Sequence, residues 1–199
     1  MSTPGNIHFF TNWAKERLDE MDAALTSLEG KVAEVQADAR DKAGKALADL
    51  RSNRDAFRDA VKQQAGASES AWTGAKTRLE AEWNAFEAEV KKYVESYGKQ
   101  FELQQATFKL QAAAQLKAWR DAADKLAAAA GEFAAERRNE IEANVTRMKA
   151  DAAAAEEKLL KLNQAGTQSW SALTSALTET RAVFDRANQA AREAFKRAA

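Results

Sequence analysis

Large apolar residues recur at alternating steps of three and four along most of the chain, and this spacing restricts the fold more than any other feature. Such steps place apolar side chains on one face of an α-helix and define a heptad pattern. Three such stripes occur in the sequence, of which the second runs from Leu79 to Phe108 and the third from Ile141 to Leu162. The spacing predicts an all-α, antiparallel, coiled-coil-like rod or bundle of three to four long helices. The first stripe is Leu18, Met21, Leu25, Leu28, Val32, Val35 and Ala39.

A Trp-Leu-Phe comb with seven-residue spacing occurs three times. Because a seven-residue step returns to the same side of a helix, each comb lies along one seam. We expect these residues to form an inward structural seam, and the alternative is that they form a ligand-binding surface. The comb residues are Trp72, Leu79, Phe86, Trp119, Leu126, Phe133, Trp170, Leu177 and Phe184.

Two Gln-Ala-Gly sequences, each followed by a hydroxyl residue and a Trp, predict helix-helix turns at Gly66 and Gly166. A glycine after a helix C-terminus adopts the left-handed conformation easily, and Ser68 and Thr167 are suitable N-caps for the next helix. A related sequence, QAAAQLKAW, begins at Gln111 but has alanine in place of the glycine. We therefore expect a degenerate internal repeat whose middle copy is continuous helix.

These turns predict one elongated helical unit over residues 1–199, with helices at about 5–64, 69–164 and 168–198. The steps of four near Ala39 predict a stutter that leaves the first helix continuous. Gly98 or Gly131 could break the middle helix, because glycine in a helix interior costs up to about 1 kcal/mol relative to alanine. A turn at Gly131 would produce a compact bundle of four helices instead.

The composition excludes several classes of protein. The chain has 47 Ala, 8 Gly and 1 Pro, and its 30 basic residues balance 30 acidic residues. Balanced charge disfavours nucleic-acid binding, which depends on concentrated positive charge. The chain has no Cys, which excludes disulfides and thiolate metal sites. The N-terminal sequence lacks the pattern of a secretory signal, and no stretch is apolar enough to span a membrane, so we expect a cytoplasmic protein.

The sequence contains no recognisable catalytic motif. His8 is the only His, so the chain does not contain the His motifs of di-iron, zincin and Ser-His-acid sites. The acidic groups at Glu16 to Asp22 and at Glu80 to Glu89 occur at helical spacing, which predicts charged, solvent-facing surfaces. We expect no catalytic residues, no metal site, no cofactor and no small-molecule substrate.

The N-terminal segment concentrates large apolar residues where the chain carries no charge. Ile7, Phe9, Phe10 and Trp13 occupy more than one narrow helix face, and Pro4 suits a first helical position. Such a segment either packs over the end of the bundle or attaches the protein to a partner or a membrane. We predict attachment at these four residues, with packing as the alternative.

Two classes of function follow from these observations. The first is a non-catalytic structural or adaptor coiled coil that scaffolds protein partners and self-associates, because a slender apolar seam stabilises a monomer poorly. The second is an amphipathic-helix coat on a lipid or polymer-granule surface. In its Ala-rich and charge-rich helical composition the chain resembles granule-coating phasins and exchangeable apolipoproteins. That resemblance implies amphipathic helices that bind a surface.

Overall fold

The computed structural model describes residues 9–64, 69–97, 101–164 and 169–198. Within these ranges the chain forms six α-helices and one short 3-10 helix, with no β-strand. The predicted all-α fold is therefore confirmed. The helices are α1 (Phe9–Lys31), α2 (Arg40–Gln63), α3 (Glu69–Tyr97), α4 (Phe101–Ala130), α5 (Ala135–Gln164) and α6 (Trp170–Ala198), and the 3-10 helix is Val32–Glu34.

The helices form two compact units. The first unit comprises Arg17–Ala114, and the second comprises Met1–Glu16 together with Gln115–Ala199. The first unit therefore contains most of α1, all of α2 and α3 and the beginning of α4. The second contains the first residues of α1, the rest of α4, and all of α5 and α6.

In the first unit, α1 and α2 run antiparallel. Asp22 pairs with Arg54, and two turns further along α1 the Oε1 atom of Glu29 lies 2.6 Å from Nε of Arg51. α2 also packs against α3. This arrangement lets α1, α2 and α3 each bury one apolar stripe, which includes Met21, Leu50 and Phe86.

In the second unit, α5 and α6 form an antiparallel pair. The Nζ atom of Lys158 lies 2.5 Å from Oε2 of Glu179, and near the other end Arg197 pairs with Glu140. α4 and α5 are also antiparallel. They are joined by ion pairs between Arg120 and Glu156 at 2.5 Å and between Asp124 and Lys149 at 2.8 Å.

The prediction of one helix over residues 5–64 is wrong. α1 ends at Lys31, and α2 begins at Arg40 and runs back along α1. A continuous helix would need another element to cover its apolar stripe, whereas two shorter antiparallel helices bury their stripes within one unit. The break follows Gly30 and immediately precedes the extra step of four at Ala39, so the stutter accompanies an actual end of the helix.

The middle helix over residues 69–164 is also not continuous, because α4 ends at Ala130 and α5 begins at Ala135. α4 ends at Ala130 and Gly131 lies in a turn, where its amide donates to the Ala128 carbonyl at 3.3 Å. The break at Gly131, which the sequence indicates as one possibility, is thus present. Within the described ranges the longest helical segments have 30 residues, or about 45 Å.

The other predicted turns lie outside the described residues. These are the turns at Gly66 and Gly166 with their caps Ser68 and Thr167, and the possible break at Gly98. At the start of α6 the structure describes Ser169, whose carbonyl accepts hydrogen bonds from the amides of Ala172 at 3.0 Å and Leu173 at 3.2 Å. Ser169 is therefore the residue from which α6 begins.

Candidate attachment site

The predicted attachment segment forms the beginning of α1. Ile7 and His8 lie outside the described residues, and Phe9 and Phe10 are half-buried. Trp13 is only 2% exposed. A side chain that is already inside the fold offers little surface to a partner.

Phe9 packs against α6 within the second unit. Its ring lies 5.5 Å from the Phe195 ring in an edge-to-face arrangement, and its carbonyl accepts a hydrogen bond from Nδ2 of Asn188 at 2.8 Å. Phe10 lies 5.1 Å from Trp13, one turn further along α1. These contacts correspond to the packing alternative for the segment.

Phe195 also contacts Phe133, whose ring centroid lies 5.5 Å away at an interplanar angle of 82°. We call Phe9, Phe133 and Phe195 the end cluster. Edge-to-face pairs of this kind contribute about 0.5–1.5 kcal/mol each beyond their buried area. The cluster joins the start of α1 and the α4–α5 turn to the last turns of α6.

The structure places eight of the nine comb residues inside the two units. The exception is Phe133, which is half-buried and lies in the α4–α5 turn instead of on a helical seam. Its position changes because α4 ends at Ala130. The eight buried comb residues, each at most 6% exposed, are Trp72, Leu79, Phe86, Trp119, Leu126, Trp170, Leu177 and Phe184.

Ring contacts show how the combs are used in each unit. In the second unit, Trp119 of α4 lies 5.5 Å from Phe184 of α6 at an interplanar angle of 71°. In the first unit, Phe86 of α3 lies 6.0 Å from Trp83, and the Arg17 guanidinium carbon lies 5.8 Å from the Trp83 ring. The rings therefore fill spaces between helices and do not form an open surface.

Two buried polar contacts between helices were not anticipated from the sequence. In the second unit, Thr180 Oγ1 donates to Gln115 Oε1 at 2.6 Å, and Gln115 Nε2 donates to the Leu177 carbonyl at 3.1 Å. In the first unit, the hydroxyls of Ser27 and Thr107 lie 2.9 Å apart. The sequence signal that could have indicated these contacts is the occurrence of a polar residue at a position of the helical repeat that is otherwise apolar.

The prediction of a solvent-facing charged surface at Glu16 to Asp22 is wrong for two of its residues. Glu16 is 1% exposed and Glu20 is 0% exposed, and the intervening Arg17 is 4% exposed. Asp22, by contrast, is exposed and pairs with Arg54. Helices of a bundle cover residues beside the apolar stripe as well as the stripe itself, which periodicity alone does not reveal.

Tyr93 is a titratable side chain on the buried apolar stripe of the first unit, and its environment alters its pKa. It is 3% exposed, and its ring lies 4.9 Å from that of Tyr97. Burial raises the pKa of the Tyr93 hydroxyl, with a further contribution from Tyr97. The phenol therefore stays protonated at neutral pH and is a poor nucleophile.

The described residues contain no group of three or more His, Cys, Asp or Glu side chains that could hold a metal ion. Among the acidic residues of α3, Glu80 and Glu82 pair with Lys76 at 3.3 Å and with Arg78 at 3.6 Å. These exposed pairs each contribute a few tenths of a kcal/mol to helix stability.

No helix in the described parts of the chain combines the length and the apolar character needed to cross a membrane. No protein-family model, curated protein or solved structure matches the chain.

Proposed function

We propose that the protein is a non-catalytic helical scaffold, or adaptor, that holds protein partners on the outer faces of its helices. The observation that supports this proposal most strongly is the location of the large apolar side chains. In the described ranges, the large hydrophobic residues on the exposed surface are Leu110, at 40%, and Leu160, at 52%. The folded units thus present a surface of charged and small side chains.

Such a surface determines what kind of partner fits. The outer side of α2 carries both signs of charge, for example at Arg58 and Asp59, and that of α5 does so at Glu157 and Lys161. A partner of complementary mixed charge would bind through exposed ion pairs, whose strength decreases with added salt. We therefore propose protein partners bound by polar, salt-sensitive contacts.

A coat on a lipid or granule surface is the alternative. It requires a continuous apolar helix face in contact with the surface, and the comb residues that would supply this face are buried within the units. A coat would therefore have to open at least one unit. Opening would change both the tertiary packing and the exposure of Trp119.

Circular dichroism and vesicle flotation test the proposal against this alternative. Purified full-length protein is mixed with vesicles of zwitterionic lipid and with vesicles that contain anionic lipid. We expect unchanged helicity, unchanged near-ultraviolet signal and no flotation with either preparation. Flotation accompanied by loss of the near-ultraviolet signal would contradict the scaffold proposal and support the coat.

The N-terminal segment needs a separate test, because Ile7, Phe9, Phe10 and Trp13 were predicted to attach a partner. We propose that the three described residues, Phe9, Phe10 and Trp13, stabilise the second unit instead, on the basis of the contacts of Phe9 with α6 and the burial of Trp13. Changing Phe9, Phe10 and Trp13 to Ser should lower the melting temperature by several degrees. The matched control is Leu110→Ser with Leu160→Ser, which removes exposed apolar residues and should leave the melt nearly unchanged.

The opposite pattern would support attachment. In that case the triple variant melts like the unchanged protein but no longer floats with membranes or retains a partner that the unchanged protein binds. Self-association and an elongated shape, both expected from the sequence, are measured on the same samples by sedimentation equilibrium and small-angle scattering. A compact monomer at all concentrations would contradict both expectations.

A further inference from the structure

Arg40 and Arg138 make the same pair of hydrogen bonds in two different places. The Nη2 atom of Arg40 donates to the carbonyls of Ala33 at 3.1 Å and Val35 at 3.3 Å. That of Arg138 donates to the carbonyls of Gly131 at 3.4 Å and Phe133 at 3.0 Å. In both cases the acceptors precede the arginine by seven and five residues.

Each arginine stands at the same point of the fold. Arg40 is the first residue of α2, and Arg138 lies in the first turn of α5. The acceptor carbonyls lie in the breaks that follow α1 and α4. Carbonyls at the end of a helix lack intrahelical partners and carry partial negative charge, so they favour a cation. A planar guanidinium can reach two of them at once.

The number of positions between the two arginines also separates other pairs of identical residues. Arg40 and Arg138 are separated by 98 positions, and so are Trp72 and Trp170, Leu79 and Leu177, and Phe86 and Phe184. Leu28 and Leu126 have the same interval, and both are 0% exposed. The main segments of the two units also begin 98 positions apart, at Arg17 and Gln115.

The interval also relates buried positions whose residue types differ. Met21 and Trp119, which are 98 positions apart, are 0% and 1% exposed, and Leu50 and Met148 are both 1% exposed. The members of each pair are thus equally buried although their residue types differ. The 47-residue interval between the first QAG sequence and QAAAQLKAW relates Gln64, which follows the end of α2, to Gln111 in the interior of α4, so it does not relate equivalent parts of the structure.

We propose that the chain contains two copies of a three-helix repeat, α1–α3 and α4–α6. Arg40 and Arg138 occupy equivalent positions in the two copies, and each forms a strap that stabilises the break after the first helix of its copy. A strap here means the arginine together with its two carbonyl acceptors. Each strap positions the second helix of its copy for the return along the first.

Hydrogen exchange of the full-length protein tests the straps at single amides. In the second copy, the amides of Gly131, Glu132 and Phe133 donate to carbonyls of the last turn of α4. Arg138→Ala should speed their exchange about tenfold, the effect of one lost charge-assisted hydrogen bond on local opening. In the first copy, Arg40→Ala should do the same at Val35 and Ala39, whose amides bond within that break.

Three controls make the result decisive. Each Ala variant should leave exchange in the other break within about twofold of the unchanged protein, since its strap acts locally. Arg147→Ala, which removes an exposed arginine of α5, should change neither break. Arg40→Lys and Arg138→Lys should restore less than half of the protection, because an ammonium group lacks the planar fork.

Several outcomes would overturn the proposal. Unchanged exchange in its own break would show that an arginine is not a strap, and equal acceleration in both breaks would show general destabilisation. Full protection in the Lys variants would show that charge alone is sufficient. Acceleration in one copy only would show that the two positions are not equivalent, and would contradict the repeat.

Discussion

In the second unit, α4 is joined to α6 by the side chain of Gln115, which bonds to Thr180 and to the Leu177 carbonyl. The position 98 residues earlier, in the first unit, is Arg17, whose guanidinium lies 5.8 Å from the Trp83 ring. In the second unit the position corresponding to Trp83 is Arg181. The two units thus place apolar side chains at matching depths but use different polar side chains beside them.

This difference separates two roles of the buried residues. Apolar side chains supply most of the folding free energy, and many residues of similar size serve equally well. Buried polar groups are costly without partners, so each one favours the register in which its partner is present. The comb therefore explains why helices pack, and the polar contacts explain which arrangement each unit adopts. Three experiments examine this distinction.

The largest effect is expected from the apolar seam. Trp119 is 1% exposed and contacts Phe184 edge-on, so Trp119→Ala should destabilise the protein by about 3–5 kcal/mol. Met21→Ala, at the corresponding position of the first unit, should cost about 2–5 kcal/mol. Urea denaturation followed by circular dichroism measures both values.

The matched control is Leu160→Ala, which removes a side chain that is 52% exposed. It should change stability by no more than about 0.5 kcal/mol. If Trp119→Ala behaves like this control, and iodide quenches Trp119 freely in the unchanged protein, the comb faces solvent and the comparison of the two units fails.

An intermediate effect is expected from the buried polar contacts. Gln115→Ala removes two hydrogen bonds and leaves a cavity, and should cost about 1–3 kcal/mol. Ser27→Ala should cost less, about 0.5–1 kcal/mol, because Thr107 Oγ1 still donates to the Leu103 carbonyl at 2.8 Å. Chemical denaturation of both variants under identical conditions gives the comparison. A larger loss for Ser27→Ala would contradict it.

The smallest effect is expected from the exposed ion pairs. Asp121 lies 2.8 Å from Lys117 and 3.8 Å from Lys15 of α1. Its hydrogen bond to Lys117, together with the nearby lysine charges, lowers the pKa of its carboxyl group. A lowered pKa in the folded state stabilises the protein above the ordinary value of 3.8. This contribution disappears as the pH falls through the lowered value.

Asp121→Asn should therefore lower stability at neutral pH by less than about 1 kcal/mol, because the pair is well exposed. The difference from the unchanged protein should vanish in strong acid, where both side chains are neutral. Thermal melts from about pH 7 to about pH 2 measure this dependence. Glu157→Gln, which removes a pair within α5 alone, is the control and should have an even smaller effect. A difference that grows toward acid pH would contradict the assignment.

Much of the secondary structure could be predicted because helical periodicity is a local property. The stripe with steps of three and four predicts Leu79 and Phe86 as apolar positions of a helix, and the comb predicts Leu126. Gly131 is also recognisable in the sequence as a possible break. The break between Lys31 and Arg40 was missed, since the stripe continues through Val32 and Val35. Periodicity indicates that one face of a helix is apolar. It does not indicate whether that helix continues or ends and is followed by a second helix antiparallel to it.

The attachment segment illustrates the same limit. An uncharged cluster at Phe9, Phe10 and Trp13 is visible in the sequence, and both packing and attachment were reasonable interpretations. The choice depends on Phe195 and Asn188, which are far away along the chain and become neighbours only after folding. No local pattern contains that information.

The sequence by itself determined the all-α class, the approximate positions of the apolar seams and the lack of thiol chemistry, because helix propensity and side-chain spacing act over a few residues. Only the tertiary structure decided where α1 and α4 end, that Glu16 and Glu20 are buried, and which residues Gln115 and Phe9 contact. These features depend on which helix faces meet, and that choice depends on packing between residues distant in sequence.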